Sequence, residues 1–164
     1  MHSKVVHMTY RVLDRAGHPT LRFNFRGVGR SQGFHSGGMD EVRDIAAAAA
    51  YARERTGKPT LWGAGFSFGA WTGLQWALED GGVARFLALG LPVDTFAFEF
   101  LDRVPFQLAV IQGERDRYGG PAGIEALARR LSRLGVVAVR TVEGADHFFT
   151  GKLGALARAI EEIL

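Results

Sequence analysis

The residues Gly65-Phe66-Ser67-Phe68-Gly69 follow an apolar stretch, Leu61-Trp62-Gly63-Ala64, and run into Ala70-Trp71 and a helical pattern. A strand that turns sharply into a helix around G-x-S-x-G exposes the serine hydroxyl at the strand end and sets the next backbone N–H beside it. Side chains two positions before and after the serine would collide across such a bend, which is the steric reason for glycine there. The chemistry this permits is attack on a carbonyl by Ser67 Oγ, with the Phe68 N–H steadying the oxygen that becomes negative.

A serine hydroxyl is a poor nucleophile until an imidazole takes its proton and a carboxylate holds that imidazole. Of five histidines, His2, His7, His18 and His35 precede Ser67 at terminal, helical or loop positions that suit solvated or capping roles, and His147 alone lies beyond the last apolar run. Asp116, in Gly113-Glu114-Arg115-Asp116 after the apolar run Gln107–Gln112, is the preferred orienting acid. Asp146 directly precedes His147 and so points elsewhere, whereas Glu114 and Asp94 stand in reserve. The chain order is therefore Ser67, Asp116, His147. Phe66, Phe68, Phe148 and Phe149 flank these positions and serve either as walls of an apolar acyl pocket or as ordinary core packing.

Other chemistries fit less well. Phe25-Arg26-Gly27-Val28-Gly29-Arg30-Ser31-Gln32-Gly33 resembles a dinucleotide loop, but its third glycine comes one residue late and no helix opens inside it, so a tight structural turn is expected. No two histidines have metal-ligand spacing, and the acidic residues are scattered. The absence of cysteine excludes disulfides and thiolate chemistry and fits a reducing, cytoplasmic setting. A net charge of +3, from 20 Lys and Arg interleaved with 17 Asp and Glu, lacks the one-sided basic run of a nucleic-acid binder.

The elements that must position Ser67, Asp116 and His147 alternate along the chain. Apolar runs at Thr20–Phe25, Thr60–Gly65, Phe86–Gly90, Gln107–Gln112 and Val136–Val142 read as strands. Lys4–Arg15 and Asp40–Arg55 read as helices stopped by Gly17 with Pro19 and by Gly57 with Pro59. Ile124, Leu127, Leu131 and Leu134 form one helical stripe, and Leu153, Leu156, Ile160 and Ile163 another. This alternation predicts an α/β fold with a mostly parallel sheet and helices on both faces. The 164 residues fit a single domain over 1–164, 47% of them hydrophobic, and the apolar run Ile45–Ala52 is far short of the roughly 20 residues that span a bilayer. Leu91–Val104, carrying Phe96, Phe98 and Phe100, is longer than a simple connection.

Four blocks, Thr20–Gly33, Gly65–Gly69, Gly113–Asp116 and Gly144–Phe149, stand in an order that resembles the α/β-hydrolase superfamily, and the chain is similar to the small lidless bacterial serine hydrolases near the dienelactone hydrolase group. The resemblance implies Ser67 as nucleophile, Asp116 as acid and His147 as base. It also implies a cofactor-free enzyme acting on a small-molecule ester, thioester or related acyl compound, with no nucleic-acid or membrane partner. The dienelactone hydrolases themselves use cysteine, so Ser67 argues against that substrate. Family members place a strand and an oxyanion loop ahead of the helix with which this sequence starts, and the rival expectation is a non-catalytic hydrolase-like scaffold. In the family sheet that strand lies between the runs ending near Phe25 and Gly65. The expectation is that these two runs pair directly, that a homodimer completes the sheet, or that the native protein is longer.

Overall fold

The computed structural model describes residues 3–133 and 137–164. Two helices, α1 (Lys4–Arg15) and α2 (Glu41–Thr56), precede the alternating series β1 (Leu61–Phe66), α3 (Phe68–Asp80), β2 (Val83–Leu89), β3 (Gln107–Gly113), α4 (Pro121–Leu131), β4 (Val137–Val142) and α5 (Leu153–Glu161). The four strands form one parallel sheet in the order β1-β2-β3-β4. The carboxyl ends of all four therefore open on one edge, where ligand sites of such sheets lie.

Side chains alternate across a strand, and here both faces are apolar, as a sheet covered on both sides requires. Phe86, Ala88, Leu108 and Val110 pack with Leu74 and Ala77 of α3, Ile124, Leu127 and Leu131 of α4 and Ala49 of α2. Leu87, Leu89, Ala109 and Ile111 pack with Val5 and Val12 of α1 and Leu156 and Ile160 of α5. Complete burial of one such Leu, Ile or Phe is worth about 2–3 kcal/mol. The helical stripes are the residues that meet the sheet, as their spacing requires; Leu134 of the first stripe, Val136 of the last predicted strand and His2 lie outside the described residues.

The connection from β2 to β3 has no helix, yet it is not loose. Leu91, Phe98, Leu101, Val104 and Phe106 along it are buried in the core shared with α3 and α4. Trp71 Nε1 donates to the Ala97 carbonyl at 2.8 Å, which ties the connection to α3.

One predicted strand is absent. Thr20–Phe25 forms no ladder, and β1 pairs with β2 alone among the described residues, so direct pairing of Thr20–Phe25 with the Thr60–Gly65 run does not occur. Side chains hold the segment instead. The His18 ring lies 4.6 Å from that of Trp62, and the Phe25 ring meets Phe68 edge-on at 5.8 Å. Leu21 and Phe23, which the alternating pattern would bury, are 44% and 38% exposed.

Candidate active site

The bend between β1 and α3 has the expected steric limit on its strand side but not on its helix side. Ser67 has φ 54°, a left-handed backbone that a non-glycine residue occupies only under constraint. The constraint is visible: the Ser67 N–H donates to the Leu89 carbonyl of β2 at 2.9 Å, while its carbonyl accepts from Ala70 N–H at 2.9 Å and starts α3. A Cβ on Gly65 would come within 2.6 Å of the Ala70 backbone and closer still to the Gly69 carbonyl, so only glycine fits. Gly69 is different, because a Cβ there would meet nothing nearer than the Phe25 ring at 3.8 Å. The Phe68 N–H is the first amide of α3 and has no helical carbonyl to serve.

Asp116 stands just past β3 and His147 past β4. Between them the backbone knits the two loops together. Arg115 N–H donates to the Ala145 carbonyl at 2.9 Å, and Glu114 N–H to the Val142 carbonyl at 3.1 Å. Gly113 has no room for a side chain, since a Cβ there would lie 2.6 Å from the Ala145 carbonyl oxygen. This close seam lets the loop after β4 arch back over the strand ends, so that the His147 ring lies 5.0 Å from that of Phe66 on β1. His147 Nε2 is then 2.8 Å from Ser67 Oγ, and His147 Nδ1 is 2.8 Å from Asp116 Oδ2. Both partners are buried, with Asp116 3% and His147 4% exposed.

Proton placement follows from counting donors. Asp116 Oδ1 accepts from Tyr118 N–H at 2.8 Å, and Oδ2 accepts from Gln112 Nε2 at 2.8 Å, so the carboxylate acts purely as an acceptor. His147 must therefore donate to it from Nδ1, which leaves Nε2 as the acceptor facing the Ser67 hydroxyl. The reserve acids, Glu114 and Asp94, and the discounted Asp146 have other work. Glu114 accepts from Gly144 N–H at 2.8 Å, Asp94 from Gly120 N–H at 2.7 Å ahead of α4, and Asp146 from Thr150 N–H at 2.9 Å. The Thr150 bond, foremost among its partners, holds the Asp146 carboxyl below the usual range.

Aromatic rings cluster about both chain neighbours of Ser67. Phe68 is ringed by Phe25, His35, Trp71 and Phe96 at centroid distances of 5.8, 5.0, 6.0 and 6.1 Å. Phe66 meets Phe148 at 6.1 Å, and Phe148 is 55% exposed, in keeping with a wall open to solvent. Phe149 does not join them. It is fully buried among Val5, Ile111, Leu156 and Ile160, so of the two roles open to it the structure shows packing. Its φ of 52° turns the chain immediately after His147 and Phe148. The sequence reading missed Tyr118, whose ring lies 4.7 Å from His147, and Gln112, although an amide directly after the apolar run Leu108–Ile111 was a signal.

The Gly27–Gly33 segment is built on tight turns, with Val28 N–H donating to the Phe25 carbonyl and Ser31 N–H to the Val28 carbonyl, and Gly27 N–H closes the loop on the Gln32 carbonyl, each at 3.1 Å. Arg26 pins it to α2 through Asp44, at 2.8 Å from Nη2, and Asp40, at 3.0 Å from Nη1. The next helix opens only at Glu41, so no helix starts inside this loop as the dinucleotide fingerprint would need. Among the described residues no group of three or more His, Asp or Glu could hold a metal ion, and no helix is long and apolar enough to cross a membrane.

An uncharacterized protein of Rickettsia prowazekii is 35% identical to the chain over 173 residues, which cover all of this chain and 72% of that protein. A solved protein described as a member of the α/β serine hydrolases without a lid, from Xanthomonas campestris, is 34% identical with a TM-score of 0.90, over 99% of this chain and 72% of its own. The chain belongs to the α/β hydrolases. A solved α/β serine hydrolase homologue from Coxiella burnetii agrees, with 33% identity and a TM-score of 0.92 over 100% of this chain and 77% of that one. No family model matches the chain. As an α/β hydrolase it has the parallel sheet and two-sided helical cover that its alternating pattern predicts.

Proposed function

We propose that this α/β hydrolase cleaves a small ester, thioester or related acyl compound by a Ser-His-Asp mechanism. The observation that carries this reading is the pair of 2.8 Å contacts joining Ser67 Oγ, His147 and Asp116. Ser67 Oγ attacks the carbonyl carbon while His147 Nε2 accepts its proton, and Asp116 stabilises the imidazolium through Nδ1–H. The Phe68 N–H donates to the oxyanion. As the tetrahedral intermediate collapses, His147 returns the proton to the leaving alcohol or thiol, and an acyl-Ser67 ester remains. Water then attacks that ester with His147 again as base, releasing the acid and restoring the serine. Phe66, Phe68 and Phe148 offer the acyl group an apolar border.

A fluorophosphonate probe tests the reading, because only an activated serine reacts with it at a useful rate. The expected result is one labelled site that Ser67→Ala abolishes while the fold is retained. Labelling that survives the substitution, or none on the folded wild-type protein, would overturn the reading, and the latter would favour a non-catalytic scaffold.

A further inference from the structure

β3 is apolar and buried over Leu108, Ala109, Val110 and Ile111, and then places a primary amide, Gln112, in the same interior at 2% exposure. A buried amide costs stability unless its groups are satisfied, and a Leu or Met would fill similar space without that liability. Every polar atom of Gln112 is engaged. Its Oε1 accepts from Leu91 N–H at 2.8 Å, while Nε2 donates to Asp116 Oδ2 at 2.8 Å and to the Gly119 carbonyl at 2.9 Å, with the Leu91 carbonyl at 3.3 Å. Turning the amide over would set Nε2 against the Leu91 N–H and Oε1 against three acceptors, so its orientation is fixed by its surroundings. Those surroundings are tight: a Cβ on Gly119 would lie 2.7 Å from Nε2 and would run into the Leu91 carbonyl.

We propose that Gln112 is a positioning residue for the acid of this site, locking Asp116 Oδ2 in the line between two donors and setting how much of its charge His147 receives. The proposal rests on the Ser-His-Asp reading above. Tyr118 N–H fixes only Oδ1, so without Gln112 the oxygen that faces His147 is held by the imidazole alone. The Gln112 N–H also draws charge off Oδ2. Its removal leaves more negative charge beside Nδ1–H, which favours the protonated imidazole and withholds the neutral base at low pH. Because the same amide clamps Leu91 at the exit of β2, it joins the exits of β2 and β3 to the acid.

The test is the rate of fluorophosphonate labelling as a function of pH, with thermal unfolding alongside, in wild type, Gln112→Met and Gln112→Glu. Gln112→Met removes every bond; Gln112→Glu keeps the Leu91 acceptor and sets a second carboxylate against Asp116. Both should label on the order of tenfold more slowly near neutral pH, with the acid limb of the profile moved to higher pH, further for Gln112→Glu. If Gln112→Met does not fold, the near-isosteric Gln112→Glu carries the comparison. Folded variants whose profiles superimpose on wild type, whatever their unfolding temperature, would refute the positioning role. Absent labelling of the wild type, or labelling that persists in Ser67→Ala, would instead sink the underlying catalytic reading and this proposal with it.

Discussion

The two glycines that flank Ser67 should respond in opposite ways to the same substitution. In Gly65→Ala the new Cβ meets backbone atoms, 2.6 Å from Ala70 Cα and N and nearer still to the Gly69 carbonyl, and no rotamer can relieve that. Ordinary contact begins near 3.4 Å, so β1 and α3 must part by several tenths of an ångström. Overpacking of this kind costs about 1–3 kcal/mol, offset by at most about 1 kcal/mol from stiffening the unfolded chain. For a domain of this size that corresponds to a loss of roughly 2–12 °C in unfolding temperature before the offset. The larger effect is on chemistry. Ser67 sits on the turn that must move, its Oγ is only 2.8 Å from His147 Nε2, and a misplacement approaching 1 Å can cost about 10²-fold in rate. In Gly69→Ala the Cβ enters ordinary space beside Phe25 and lies within α3, where alanine is favoured over glycine by up to about 1 kcal/mol. Calorimetry and fluorophosphonate labelling of both variants decide the matter. Equal losses in the two, or wild-type labelling by Gly65→Ala, would refute the claim that the bend is sterically limited on its strand side.

Two further substitutions probe the charges around the bend. Asp116→Asn should fold but lose about 10³–10⁴ in turnover, because every neighbour of this side chain is a donor and one of them must then face an NH₂, while His147 loses its anion; turnover within tenfold of wild type would exclude Asp116 as the acid. Glu41 is fully buried, and although burial alone would raise its pKa, hydrogen bonds from the Ser36 hydroxyl and N–H and the Gly38 N–H hold it at about 2. A folded value below the ordinary 4.5 means stability that is present above that value and drains away as pH falls from 4.5 toward 2. Glu41→Gln should therefore cost about 2–3 kcal/mol at neutral pH and flatten unfolding temperature across that acid window, and an unchanged slope would contradict the assignment.

What could be read from the sequence was what local spacing controls. Lys4–Arg15 has its stop residues, Gly17 and Pro19, close behind it, and the helix occupies that range. The nearness of Ser67, Asp116 and His147 was legible because each follows a strand of the same parallel sheet, so it depends on chain order more than on detail. Thr20–Phe25 was not, because alternation reports a pleated, half-buried surface while a strand also needs a partner edge, which no local pattern encodes. Phe149 misled in a similar way: its neighbour Phe148 faces outward, and only a left-handed backbone at 149 sends the next ring into the core. Gln112 was read only as the end of an apolar run, because its partners come from Leu91, Asp116 and Gly119, 21, 4 and 7 residues away.

The adjacency of successive strands has a kinetic consequence. Each strand pairs with the one just before it, so the sheet can grow in steps from β1 to β4, closing one crossover at a time. Ser67 and His147 are 80 residues apart and their bond spans that whole series. On the mechanism proposed above, Ser67 can take up its bend once β1 and β2 have met, but it gains its base only when β4 and the loop after it have docked. If that mechanism holds, fluorophosphonate reactivity at Ser67 should mark the final event of assembly, and spectroscopic signals of helix and core formation should run ahead of it.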